Sequence, residues 1–322
     1  MPGLPVGGTA GTARCVFTDG WRSDRLPIAG GLGAGYAHFG FCRPGRGVDR
    51  RIAGCSGIIE DRGATGKSRA VAFNNRGLAY RHKGDLDRAI ADYNEAIGLD
   101  GKYEPAYYNR GKAYRAKGDT DRAIVDYTEA IRLDANDADP LIARGIASRV
   151  KGDSERAIAD LNEAIRLNPK IDSAYFNRGI VYLYSGSLSQ ALADVTRASE
   201  LDPKEAYAAL WVEIVGQRSK APSRLAQASA ALDMAAWPAP VIRMFLGQMT
   251  PAAVLAAADD PAPSRKKGQV CEANFYSGQL ALRKGAKKDA LRLFQLAASD
   301  CPPDFNEWSA ARAEVKALGA VR

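Results

Sequence analysis

Histidine occurs only twice in the 322 residues, at His38 and His82, and cysteine five times. That scarcity leaves no His/Cys cluster with the spacing of a metal site. It also leaves no histidine paired with a serine or cysteine nucleophile, and no paired catalytic carboxylates stand out. The segment 205–267 contains neither histidine nor cysteine, so an enzyme hidden there would lack the usual acid–base and nucleophilic groups. No stretch reaches the roughly 18 continuous apolar residues of a membrane-spanning helix. Charge of one sign is scarce over most of the chain as well. Of the formal net charge of +8, five units fall within residues 1–70, where ten basic side chains meet five acidic ones. The remainder is too weakly basic for a nucleic-acid footprint. The expectation is a protein without metal, cofactor, nucleic acid or transmembrane segment.

What the chain does have is a period. Gly77, Gly111, Gly145 and Gly179 stand 34 residues apart, and their surroundings recur with them. Gly84, Gly118, Gly152 and Gly186 lie seven residues later, Ala89, Ala123, Ala157 and Ala191 twelve later, and Ala96, Ala130, Ala164 and Ala198 nineteen later. Small residues at fixed offsets in a 34-residue period predict paired helices, a helix A and a helix B per unit, that stack into an all-α superhelical solenoid. The second glycine suits the left-handed turn that closes helix A. Asp85, Asp119 and Asp153 then suit the N-cap of helix B.

The strings Asn75-Arg76-Gly77 to Tyr80, Gly84-Asp85, Ala89-Ile90 and Ala96-Ile97 resemble tetratricopeptide repeats. The resemblance implies a non-enzymatic scaffold that holds a protein or peptide in its concave groove. Asn274-Phe275-Tyr276 to Gly278, then Ala290 to Phe294, Ala297 and Phe305-Asn306-Glu307, resemble the C-terminal repeat of NlpI-type lipoproteins. That second likeness implies a periplasmic adaptor, usually homodimeric, that docks peptidoglycan hydrolases and a protease. A cytoplasmic location is the alternative. The functional alternative is a self-assembling homodimeric module without a peptide ligand, in which the C-terminal repeat completes a partner chain's array.

Four segments follow. Residues 1–48, rich in Gly, Pro and Arg, show no apolar period and predict a disordered tail. Within it, 26–42 faintly resembles a signal-peptide core but starts too deep, and Cys42 does not follow a lipoprotein cleavage pattern. Residues 49–204 read as a half-repeat cap followed by four full repeats. The half-repeat rests on an ungapped match of Arg50–Ile59 to Arg88–Ile97. Residues 205–267 read as a degenerate helical segment and linker, with helices expected at 206–218, 223–234, 240–248 and 251–258 and a polar linker at 259–267. Residues 268–322 read as a repeat detached from the first array, followed by a capping helix. Gly66-Lys67-Ser68 would end a phosphate-binding loop only with a glycine five residues before it, where Asp61 stands.

Three sets of residues are candidates for specific roles. Arg76, Arg110, Arg144 and Arg178 precede each helix A glycine, and Asp92, Asp126, Asp160 and Asp194 follow them by sixteen residues. They read as ion pairs within each repeat, with a ligand-binding row of arginines as the alternative. The resemblance to tetratricopeptide repeats implies a groove lined by helix A positions that share one face: Asn74, Leu78, Arg81; Tyr108, Lys112, Arg115; Ile142, Ile146, Arg149; and Phe176, Ile180, Leu183, with Tyr184 beside them. Its apolar end is expected either as an exposed interface or as buried against the segments that follow. Cys271 is expected to open helix A of the last repeat, with Cys301 just past its helix B. Ends of an antiparallel helical hairpin lie side by side, which allows a disulfide; two small buried thiols are the alternative.

Overall fold

The computed structural model describes residues 47–319. The expected tail, with Cys15 and Cys42, lies almost wholly outside them. Sixteen α-helices and no strand are found among the described residues. The first, α1 (Val48–Glu60), packs on α2 (Gly66–His82). Four helical hairpins then follow in register: α2 with α3 (Leu86–Leu99), α4 (Glu104–Ala116) with α5 (Thr120–Leu133), α6 (Ala138–Lys151) with α7 (Ser154–Leu167), and α8 (Asp172–Tyr184) with α9 (Leu188–Leu201). Each hairpin packs on the next, giving the all-α repeat solenoid read from the sequence.

The period works through close packing. A Cβ placed on Gly111 would lie 2.7 Å from the Tyr127 ring, and one on Gly179 would lie 2.7 Å from Val195. Helix B therefore sits where only glycine leaves room on helix A. The turn glycines hold φ between 78° and 86° at Gly84, Gly118, Gly152 and Gly186. Asp85, Asp119 and Asp153 accept hydrogen bonds from the backbone N–H three residues on, capping helix B.

The fifth unit breaks these rules in register. Helix α10 (Ala206–Arg218) is a full helix A, but Glu213 occupies its glycine position and Lys220 the turn position. Glu213 is buried, and accepts hydrogen bonds from Gln217 and Ser223. A side chain there bars the close approach of a second helix. The helix B expected at 223–234 is accordingly reduced to α11 (Leu225–Ala228) and a 3-10 turn, Ser229–Ala231. Lys220 still takes the left-handed conformation, at φ 57°, which costs a non-glycine residue about 1–2 kcal/mol. Lys220→Gly is expected to raise stability by about 1 kcal/mol, seen as a higher urea midpoint with an unchanged slope.

Helices α12 (Ala239–Phe245) and α13 (Pro251–Ala257) fall close to their expected places. The polar linker does not. Pro263 begins α14 (Pro263–Arg283), because proline fits the first turn of a helix as readily as a loop. Cys271 therefore lies well inside α14 instead of opening it. Helix α15 (Lys287–Asp300) pairs with α14, and α16 (Asn306–Gly319) follows. These helices are not detached. One continuous apolar core joins Ile180 and Val195 of the fourth repeat to Trp211, Phe275, Phe294 and Ala310.

Candidate protein-binding face

Each repeat arginine grips its aspartate with two nitrogens. Arg76 holds Asp92 at 2.8 and 2.8 Å, Arg110 holds Asp126 at 2.9 and 2.7 Å, Arg144 holds Asp160 at 2.8 and 2.7 Å, and Arg178 holds Asp194 at 2.7 and 2.7 Å. The hydrogen bond to Asp92 is the main influence raising the Arg76 pKa. The remaining nitrogen, Nη1, reaches back to helix B of the preceding unit: Arg110 to Asn94 at 2.7 Å, Arg144 to Thr128 at 3.1 Å and Arg178 to Asn162 at 2.6 Å. Arg76 finds Ser56 of α1 at 2.9 Å, the residue that matches Asn94 in the half-repeat alignment. The arginine thus stitches three helices from two units. The inter-repeat half of this device was missed, although Asn94, Thr128 and Asn162 also recur every 34 residues.

The proposed groove residues divide into two groups. At the N-terminal end, Asn109 donates to Asn74 at 2.9 Å, joining neighbouring A helices. Asn74, Leu78, Tyr108, Lys112 and Ile142 are buried, whereas Arg81, Arg115, Ile146 and Arg149 are partly so. The Lys112 ammonium lies 5.3 Å from the Tyr108 ring centroid, and Tyr108 lies 6.1 Å from Tyr127. At the other end the exposed apolar patch does not exist. Ile180 and Leu183 are buried in the main core, and Phe176 stands edge-on to Trp211 at 6.0 Å.

The inner face at that end is covered by the chain's own C-terminus. Arg115 donates to the Asp304 carbonyl at 3.1 Å. Arg149 donates to Ser309 and Asn306, each at 2.7 Å. Tyr184 donates to Glu314 at 3.0 Å, and Arg218 also pairs with Glu314. Pro303 lies against the Gly118 turn. These contacts follow chain order on both sides, so 303–314 runs along the ends of α4, α6, α8 and α10. A 14-residue helix is about 21 Å long, enough to cross the two or three helix spacings of about 10 Å involved.

This seat is electrostatically unusual. Burial pulls the Arg149 guanidinium down to about 10. Its two acceptors, Asn306 and Ser309, are neutral, and no carboxylate pairs with it among the described residues. Two buried acids interact with each other nearby, and the charge of one of them, Glu307, also acts on Arg149. Glu307 accepts from Tyr276 at 2.8 Å, and Glu272 from Tyr207 at 2.9 Å and Trp237 at 2.6 Å. Burial first, and then the charge of Glu307, pushes the Glu272 carboxyl up to about 8. Burial also raises Glu307.

Cys271 and Cys301 are joined as a disulfide with Cα atoms 4.9 Å apart. It fixes the end of α15 directly before the 302–305 turn that leads into α16. No cluster of three metal-ligating side chains occurs among the described residues. An open cleft of about 900 Å³ lies between α9, α10 and the 219–224 turn, beside the shortened second helix of the fifth unit. No described helix is long and apolar enough to cross a membrane.

Comparison with known proteins agrees with this architecture. Residues 70–103 and 105–137 match a tetratricopeptide repeat family, and 149–186 match a second TPR repeat family. The chain therefore carries tetratricopeptide repeats. No curated protein matches it in sequence. Among solved structures, a tetratricopeptide repeat protein from Parabacteroides merdae is 16% identical with a TM-score of 0.54, over 84% of this chain and 92% of that one. The anaphase-promoting complex hetero-tetramer Cut9–Hcn1 gives 15% identity and a TM-score of 0.53, over 84% of this chain and 48% of that one. Both similarities are of fold.

Proposed function

We propose that this protein is a non-enzymatic scaffold that holds a partner polypeptide against the inner row of its A helices. The observation that carries this reading is that the inner face already grips a polypeptide: Arg115, Arg149, Tyr184 and Arg218 bind residues 304–314 of the same chain. Tetratricopeptide repeats generally serve protein–protein interaction, and stacked repeats provide the extended concave surface that such binding uses. A role among cell-envelope proteins is part of the proposal. It is supported by the likeness of 274–307 to NlpI-type adaptors and by the Cys271–Cys301 bond, which persists best in an oxidising compartment. The self-assembling alternative is less well supported, since α14 and α16 complete the core of their own chain.

The test is a photoreactive residue placed at Arg81, a partly exposed position of the inner row, or at Val125, which is 67% exposed on helix B. In the native cell, position 81 is expected to capture a defined partner at least tenfold more strongly than position 125. Equal capture from both would overturn the groove reading.

A further inference from the structure

The break after unit four leaves a surface that the earlier repeats do not have. In units two to four the arginine of helix A reaches the preceding helix B at Asn94, Thr128 and Asn162. One period further on, Thr196 of α9 stands at that place and Val212 of α10 replaces the arginine. Ala228 replaces the aspartate as well, so no buried charge is stranded. The stitch is gone, and with it most of the helix B that would follow α9.

What remains is the open cleft of about 900 Å³. Leu188 and Leu192, one turn apart on α9, form its floor together with Val212 of α10 and Ala221 of the turn. A Cβ placed on Gly216 would meet Ala221 at 3.9 Å and Leu192 at 4.0 Å, against the 2.7 Å contact at Gly111. The close packing that seals the earlier units is therefore absent here.

The rim of this cleft is basic. Lys220 and Arg224 are exposed, and their side chains engage no carboxylate among the described residues. The turn between α14 and α15 adds Lys284, Lys287 and Lys288, equally exposed and unengaged. Glu213 ties the two turns together: Ser223 donates to it at 2.5 Å, and Arg283 lies 3.6 Å away. Neither 219–224 nor 283–288 contains an acid. The two acids that line the cleft are already engaged, Glu213 in this way and Glu200 with Arg197 at 3.3 Å.

We infer that the cleft between α9 and α10 is a docking site for an acidic amphipathic helix of another protein, which takes the place of the helix B that unit five lacks. The repeat register sets the length of that helix at about 14 residues, as in α3, α5, α7 and α9. Its apolar side lies on Leu188, Leu192 and Val212, and its carboxylates reach Lys220 and Arg224. A flat membrane surface cannot reach a concave floor. The long wall is a helix B, so this site is additional to the inner row of A helices.

The test uses the full chain and two labelled helical peptides of about 14 residues. Both carry leucines in an i, i+4 stripe; one has glutamates on its flanks, the other lysines. Anisotropy is expected to show the acidic peptide binding at least tenfold more tightly, with the difference shrinking as salt rises. Lys220→Asn combined with Arg224→Glu is expected to weaken its binding about tenfold, and Leu192→Glu to abolish it. A photoreactive residue at Ala193, exposed on the α9 wall, is expected to cross-link the acidic peptide, and one at Val125 is not. Circular dichroism checks that the variants remain helical. The turn variant changes only exposed side chains, so it decides the matter should Leu192→Glu misfold. Equal affinity for the two peptides, or no binding of either up to about 1 mM, would overturn the inference. So would a dimer of the free chain that Leu192→Glu dissociates, since the occupant would then be a second copy. Capture at position 81 and binding at this cleft are read on different residues, so each reading can fail alone.

Discussion

Replacing Arg144 with methionine is expected to lower the unfolding free energy by about 3–5 kcal/mol, because it leaves the Asp160 carboxylate buried without its cation. Only 15% of the arginine side chain and 7% of the aspartate side chain are exposed, so solvent does little to soften the loss. The same change removes the bond to Thr128, which is the link to the preceding unit. In a solenoid, stability is close to a sum of unit and interface contributions, so a central unit is the sensitive place to cut. Urea denaturation checks the magnitude. A paired Arg144→Met and Asp160→Leu variant is expected to recover most of the loss, since apolar replacement of a whole buried pair is often neutral. A loss below about 1 kcal/mol in the single variant would mean that the pair behaves like a surface salt bridge.

Serine at both Cys271 and Cys301 is expected to cost about 3–4 kcal/mol, from the loop of roughly 30 residues that the bond closes. The loss should be local. Amide exchange should rise in 287–319, where α15 and the turn before α16 lose their tether, and stay unchanged in 86–133. Either single serine variant is expected to match the double one. A free thiol at both positions in protein from its native compartment would contradict the bond and remove the chemical support for an envelope location.

The repeat half of the fold was legible because its contacts are short-range and periodic. Gly111 must be glycine for Tyr127 to approach, and Asp119 must cap the helix it precedes, so each unit prints the same letters. The failure of the fifth unit was also printed, in Glu213 and Lys220, which stand at the two glycine positions in perfect register. They were legible as loss of pattern, though not as loss of a whole helix. Pro263 misled because the first turn of a helix and a loop accept proline equally. The covering of the groove was beyond reach for a different reason. Arg149 and Asn306 are 157 residues apart, and no period, spacing or composition ties them together. The groove positions themselves lie on the A helices as the helical face implied. What lies over them depends on how far the superhelix curls, which is set by small rotations summed across units.

The central claim is that inner-face side chains hold a polypeptide helix, and hydrogen exchange of Arg149→Ala tests it most directly. Arg149 makes two hydrogen bonds to α16, and bonds to charged groups contribute about 1.5–3 kcal/mol. The account expects amide exchange across residues 306–314 to accelerate roughly tenfold to a hundredfold, with 86–99 unchanged. Exchange in 306–314 that stays at the wild-type rate would mean that the inner face does not hold the helix, and would contradict the account.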